Sequence, residues 1–235
     1  KLAMTFADYT VTEAGFGADL GAEKFLDVKC RLSGLKPNAV VVVATVRALK
    51  LHGGADKTQL ATPDVDALKK GLPNLLRHVG NITGVYKLPC VVAVNKFTSD
   101  TEEEVAEIIA AVRSLGVDAI ECNVWGEGGK GATALAKKVV ELCEESNDMF
   151  TFSYDDEDSV EAKIAKVAMR IYGASGVEYS DKARESLAAL GSLDISRMPV
   201  VIAKTQYSFS DDMTLLGAPT DFVLHVRDVE YRGGA

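Results

Sequence analysis

Ala39–Val46 reads AVVVVATV, and the fold of this chain turns on that stretch. A valine-rich run of strand length, free of charge, is the pattern of a strand buried on both faces of a parallel sheet. It ends at Arg47, with Lys50, His52 and Gly53–Gly54 beyond it. Two further short apolar runs repeat the pattern. Leu88–Val94 ends on Asn95–Lys96–Phe97, and Val117–Cys122 leads into Asn123–Val124–Trp125 and a glycine-rich loop. Between them the period changes to that of a helix. Val65, Leu68, Leu72, Leu75, Leu76 and Val79 predict a helix over Asp64–Val79 with a kink at Pro73. Asp100 with Glu103 reads as a capping box, opening a helix whose stripe is Val105, Ile108, Ile109, Val112 and Leu115 and which Gly116 closes. Leu135, Ala136, Val139, Val140 and Cys143 mark the next helix. Strands alternating with helices imply an α/β fold, a mostly parallel sheet with helices on both faces.

On the N-terminal side, Asp8–Val11 reads as a short strand or its edge, leading into TEAGFGADLGAEKFLDVKCR at Thr12–Arg31. Gly15, Gly17 and Gly21, with Glu13 and Asp19, suit either a backbone that approaches a ligand closely or a tight connection between two elements. A dinucleotide fingerprint is excluded, because its third glycine position is Leu20. Lys24–Leu32 is then a short helix closed by Ser33–Gly34. On the C-terminal side, Asn147–Asp158 reads as an acidic, aromatic loop, and helices at Val160–Tyr172 and Asp181–Leu190 form a small helical insertion. Pro199–Ala203 is expected as a fourth strand ending at Lys204–Tyr207, and Asp221–Val229 as a last, more alternating edge strand. The divisions expected are a body over 1–146, the insertion over 147–198 and closing strands over 199–235.

The chain of 235 residues is 47% hydrophobic and carries a net charge of −8 without a basic run, which argues against nucleic acid or an anionic membrane as partner. Its longest apolar run is too short to span a bilayer. The opening KLAMTFADYTV has neither an apolar leader core nor a cleavage site, and it reads as the tail of a helix begun earlier. Cys30, Cys90, Cys122 and Cys143 are widely spaced, and with His52, His78 and His225 they supply no clustered zinc ligands. No Ser/His/Asp or Cys/His arrangement stands out, so the catalytic groups stay unassigned. A reducing, cytoplasmic setting is expected, with a mitochondrial one open.

In parallel sheets ligands bind beyond the carboxyl ends of the strands. Here those ends are Arg47, Asn95–Phe97, Asn123–Trp125 and Lys204–Tyr207. Strand ends are exposed and polar in any case, which accounts for the polar residues. It does not account for Phe97 and Trp125, two large aromatics left at one rim.

TEAGFGADLGAEKF, DVKCR and VVVVATVRALKLHGG, followed in order by VVAVNKFTSDTEEE, RIYGASGVEYS and VVIAKTQYSFSDDMTLLGAPTDFVLHVRDV, resemble formate–tetrahydrofolate ligases over essentially the whole chain. The resemblance implies a P-loop NTPase-like fold and a reaction in which ATP phosphorylates formate. N10 of tetrahydrofolate then takes the formyl group from formyl phosphate. It implies ATP, magnesium and a monovalent cation (potassium or ammonium) as cofactors, tetrahydrofolate as substrate, and a homo-oligomer as the assembly. Phe97 and Trp125 match the family's pterin-stacking aromatics, with Asn95 on the folate side and Phe16 as a third wall or a core anchor of its loop. Lys204, Thr205, Gln206, Tyr207 and Ser208 resemble the nucleotide side, although Lys204 also has Asp211 and Asp212 within reach. Arg47 and Lys50 read either as anion contacts for the triphosphate or formyl phosphate, or as structural ion pairs. Asp155–Asp156 and Asp211–Asp212 read as solvated loops or caps.

The family's phosphate-binding loop is not found. VWGEGGKGAT puts Val124 at the first glycine position and Gly131 where Ser or Thr is required. The chain therefore reads as a partial enzyme, inactive in isolation, whose partners include the remainder of its own polypeptide. The alternative is a non-catalytic folate-binding or assembly module.

Overall fold

The computed structural model describes residues 1–145, 149–191, 193, 195 and 197–233. In chain order the elements are α1 (Leu2–Phe6), π-helical turns at Ala18–Ala22 and Lys24–Cys30, α2 (Arg31–Ser33), β1 (Val40–Ala44), α3 (Val46–His52) and α4 (Val65–Gly80). A π-helical turn at Asn81–Val85 precedes β2 (Cys90–Asn95), α5 (Glu102–Arg113) and β3 (Asp118–Cys122). α6 (Val124–Glu127), a 3₁₀ turn at Gly128–Ala132, α7 (Thr133–Glu144) and α8 (Val160–Val167) follow. A last π-helical turn at Ala168–Tyr172, β4 (Gly176–Tyr179), α9 (Asp181–Leu190) and β5 (Val223–Val226) complete the order. These elements form two compact units: Lys1–Lys36, Phe152–Gln206 and Asp221–Ala235 make one, Pro37–Thr151 and Tyr207–Thr220 the other.

The second unit is the α/β body. β1, β2 and β3 pair in parallel in that order, with Val42 opposite Val92 and Val92 opposite Ala119. α5 and α7 both pack on β2 and β3, and β2 is buried from Cys90 to Val94, so both faces of the central strand are covered. β1 departs from expectation: Val42 and Ala44 are buried, but Val41 is exposed and Val43 is 65% exposed. The valine run carries no alternation to reveal this, because β1 is the edge of the three-stranded sheet. The helix expected over Asp64–Val79 forms as α4, with the Asp64 carboxylate accepting from the Ala67 amide at 2.8 Å and Pro73 inside. The capping box of α5 lies one residue later than expected, on Thr101 and Glu104. Asp100 instead receives the Phe97 amide at 2.8 Å.

In the first unit, α1 is followed by a helical run that starts at Ala18, inside the glycine stretch, rather than at Lys24. Gly21 is required there, because a Cβ would lie 1.7 Å from the Gly15 carbonyl oxygen. Gly34, in the left-handed region at φ 68°, ends the run as expected. Asp8–Val11 forms no strand. Nor does Pro199–Ala203: the Val200 amide donates to the Tyr154 hydroxyl at 3.1 Å rather than to a ladder. α8 with its π-helical extension and α9 occupy the two expected helices. β4, which no periodicity announces, pairs in parallel with β5, the central part of the alternating strand. Of the loop expected from residue 147, residues 147 and 148 lie outside the described residues, and 149–158 form neither helix nor strand. Among the described residues no helix is long and apolar enough to cross a membrane.

Candidate functional site

Strand order sets the first candidate site. β2 lies between β1 and β3, so their carboxyl ends bring the Arg47, Phe97 and Trp125 segments to neighbouring positions on one rim. Asn95, half-buried, is the last residue of β2 and pairs in register with Cys122. The turn after it is held by the Asp100 carboxylate on the Phe97 amide. The Arg47 guanidinium lies over the Phe97 ring at 4.6 Å and donates to the Ser99 hydroxyl at 3.2 Å. Its Nε is buried without a hydrogen-bond partner. Arg47 thus backs the half-buried Phe97 and stiffens this turn.

Trp125 is 86% exposed. Its turn is built: the Asn123 side chain accepts the Gly126 amide at 3.1 Å and donates to Glu127 at 3.1 Å. A Cβ on Gly131 would lie 2.2 Å from the Asn123 carbonyl oxygen, so the glycine-rich loop closes tightly behind the turn. An indole held in water by an ordered turn offers a flat apolar face to a planar ligand.

Lys50, read from the sequence as an anion contact or an ion pair, is the latter here. It is fully buried on α3, and its ammonium donates to the Glu104 carboxylate at 2.9 Å and the Thr62 carbonyl at 2.9 Å. Burial would raise the Glu104 carboxyl. Bonds from the Thr101 amide, Lys50, the Asp64 amide and the Thr101 hydroxyl outweigh it and hold the group at about 2. Sequence reading missed Glu104 as the partner, and its one signal was its place in the acidic first turn of α5.

The second candidate lies in the first unit. Phe16, Leu20, Lys204 and Gln206 line a recess of about 150 Å³. Phe16 sits in the left-handed region at φ 60° and is 81% exposed, so the glycine stretch presents this ring outward instead of burying it as an anchor. The structure therefore brings Phe16 together with Lys204 and Gln206. Phe97 and Trp125 belong to the other unit. The Lys204 ammonium donates to Asp19 at 2.6 Å and to the Thr205 carbonyl at 3.2 Å, and lies over the Tyr172 ring at 4.7 Å. Asp19 is an ion-pair partner that the sequence did not announce. Asp212 caps its own turn through Thr214, and Asp155 and Asp156 pair with Lys166 and Arg31.

Tyr207 and Ser208, read with Lys204–Gln206 as one turn, fall in the second unit. Ser208 is buried and donates to the Leu215 carbonyl at 2.6 Å, while Tyr207 is half-exposed with the Lys57 ammonium 6.0 Å from its ring centre. Among the described residues no group of three or more His, Cys, Asp or Glu is arranged to hold a metal ion.

The family model for formate–tetrahydrofolate ligase matches residues 1–235. A curated formate–tetrahydrofolate ligase of Symbiobacterium thermophilum is 56% identical over all 235 residues. The match takes in 100% of this chain and 42% of that relative, so the chain spans less than half the relative's length.

Proposed function

This chain belongs to the formate–tetrahydrofolate ligase family, and on that premise we propose that it carries the folate-binding rim of an enzyme that joins formate to tetrahydrofolate at the expense of ATP. Formyl phosphate is the intermediate, magnesium arrives with the nucleotide, and a monovalent cation supports a homo-oligomer. Phe97 and Trp125 clamp the pterin, with Asn95 beside them. Lys204 and Gln206, from the recess they share with Phe16, serve the nucleotide together with Thr205 between them.

The observation that carries this reading is Trp125 itself. It is 86% exposed on a turn held by Asn123, next to the strand end that carries Phe97. Stacking of a heterocyclic base on an aromatic side chain is worth about 1–3 kcal/mol. Trp125→Ala should therefore weaken tetrahydrofolate binding about 5- to 150-fold, and Trp125→Phe should retain much of it. Trp125 is the only tryptophan, so folate binding should quench the protein's indole fluorescence. Unchanged folate affinity in Trp125→Ala, measured on folded protein, would overturn the assignment.

A further inference from the structure

The helical run from Ala18 places Asp19, Glu23 and Asp27 four residues apart, hence on one face, and all three are buried. The outer two are compensated. Asp19 accepts from Lys204, and Asp27 accepts from the Ser153 amide at 2.8 Å and hydroxyl at 2.5 Å, with Arg31 at 3.7 Å. The middle one is not: Glu23 is 1% exposed, and its Oε1 is buried with no hydrogen-bond partner. An ionised carboxylate cannot be kept this way beside two others without a large desolvation cost.

Resting on the reading of Lys204 as a nucleotide-side residue, we propose that Glu23 is a positioning residue held as the neutral acid, and that its neutrality fixes the Lys204 ammonium on Asp19 at the wall of the recess. The groups that face it are Asp19, Asp27 and Lys24 from its own helical run, Tyr172 from the turn after α8, and Tyr154 from the loop before it; Lys204 touches two of these, Asp19 and the Tyr172 ring. Burial first, then the charges of Asp27 and Asp19, push the Glu23 carboxyl well above its ordinary value, against a smaller opposing effect of Lys24. With Glu23 neutral, the Lys204 ammonium stays on the Asp19 carboxylate. Once Glu23 ionises, two carboxylates one turn apart compete for the same ammonium, and Lys204 shifts from its place beside Gln206.

The test uses the full-length protein, wild type and Glu23→Gln, which keeps the shape and removes the charge. The infrared carbonyl band of a protonated carboxylic acid should be present at neutral pH in the wild type and lost in Glu23→Gln. Because the folded-state pKa is raised, stability is greatest below the unfolded value and falls as pH rises toward the folded one. The folding constant of the wild type should therefore drop by up to tenfold per pH unit relative to Glu23→Gln. ATP affinity should fall with pH in the wild type and stay flat in Glu23→Gln. A double-mutant cycle with Lys204→Met should show coupling that grows as Glu23 ionises. An absent carbonyl band, a wild-type pH profile in Glu23→Gln, or no coupling at any pH overturns the proposal. The nucleotide reading fails separately, if Lys204→Met leaves ATP affinity unchanged at low pH.

Discussion

Two buried lysines show how far single residues can be read. Lys50 and Lys204 stand after valine-rich runs and look alike in sequence, as cations at the end of a strand. Their partners, Glu104 and Asp19, are 54 and 185 residues away, and no local pattern announces either. The exposure expected of aromatics beyond a strand end holds for Trp125, at 86%, and not for Phe97, which is half-buried against Arg47. Removing one member of a buried pair leaves the other charge uncompensated, at a cost of about 3–5 kcal/mol. Lys50→Met should show a loss of this size in denaturant titration, whereas Lys69→Met, whose partner Glu107 is at a more open site, should fall within about 1 kcal/mol. Near-equal effects would mean that Glu104 is satisfied without Lys50.

At the scale of elements, period located the longer helices and the three strands of the body, and the errors were of register, of neighbourhood and of short strands outside that body, where Asp8–Val11 and Pro199–Ala203 form none. The acids Asp100 and Glu103 have capping-box spacing, but the backbone uses Thr101 and Glu104, because Asp100 is taken by the Phe97 amide. A one-residue difference of this kind depends on where the preceding turn spends its donors. Thr101→Ala should cost about 1 kcal/mol, within a range of 0.5–2, while Glu103→Ala should cost almost nothing. The reverse order in thermal unfolding would restore the earlier register. β1 and Pro199–Ala203 failed for a related reason. Burial on both faces and ladder pairing depend on which elements lie alongside, and neither is written in the valine run itself. β4 was hidden because its four residues are short and its partner β5 lies 47 residues on.

At the scale of the molecule, the two units carry buried carboxylates of opposite kind, and their stabilities should respond to pH in opposite directions. Glu104, in the second unit, is held at about 2 against an ordinary 4.5. Its contribution is present above 4.5 and is lost as pH falls toward 2, and the gap corresponds to about 3 kcal/mol at 1.36 kcal/mol per unit. Glu23, in the first unit, is raised, so its unit loses stability as pH climbs above 4.5. Hydrogen exchange followed by peptide, and corrected for the intrinsic pH dependence, separates the two. Amides of β2 should lose protection on acidification, and those of the Ala18–Ser33 helical run should lose it as pH rises above 4.5. Half-buried surface acids such as Asp158 and Asp228, which are also lowered, add an acid-labile background to the first unit. The decisive comparison is therefore with the single variants. Glu104→Gln should flatten the acid limb of β2 alone, and Glu23→Gln the rising-pH limb of the helical run alone. If one substitution moves both limbs, the units unfold as one cooperative system and the two carboxylates cannot be assigned to separate parts of the chain.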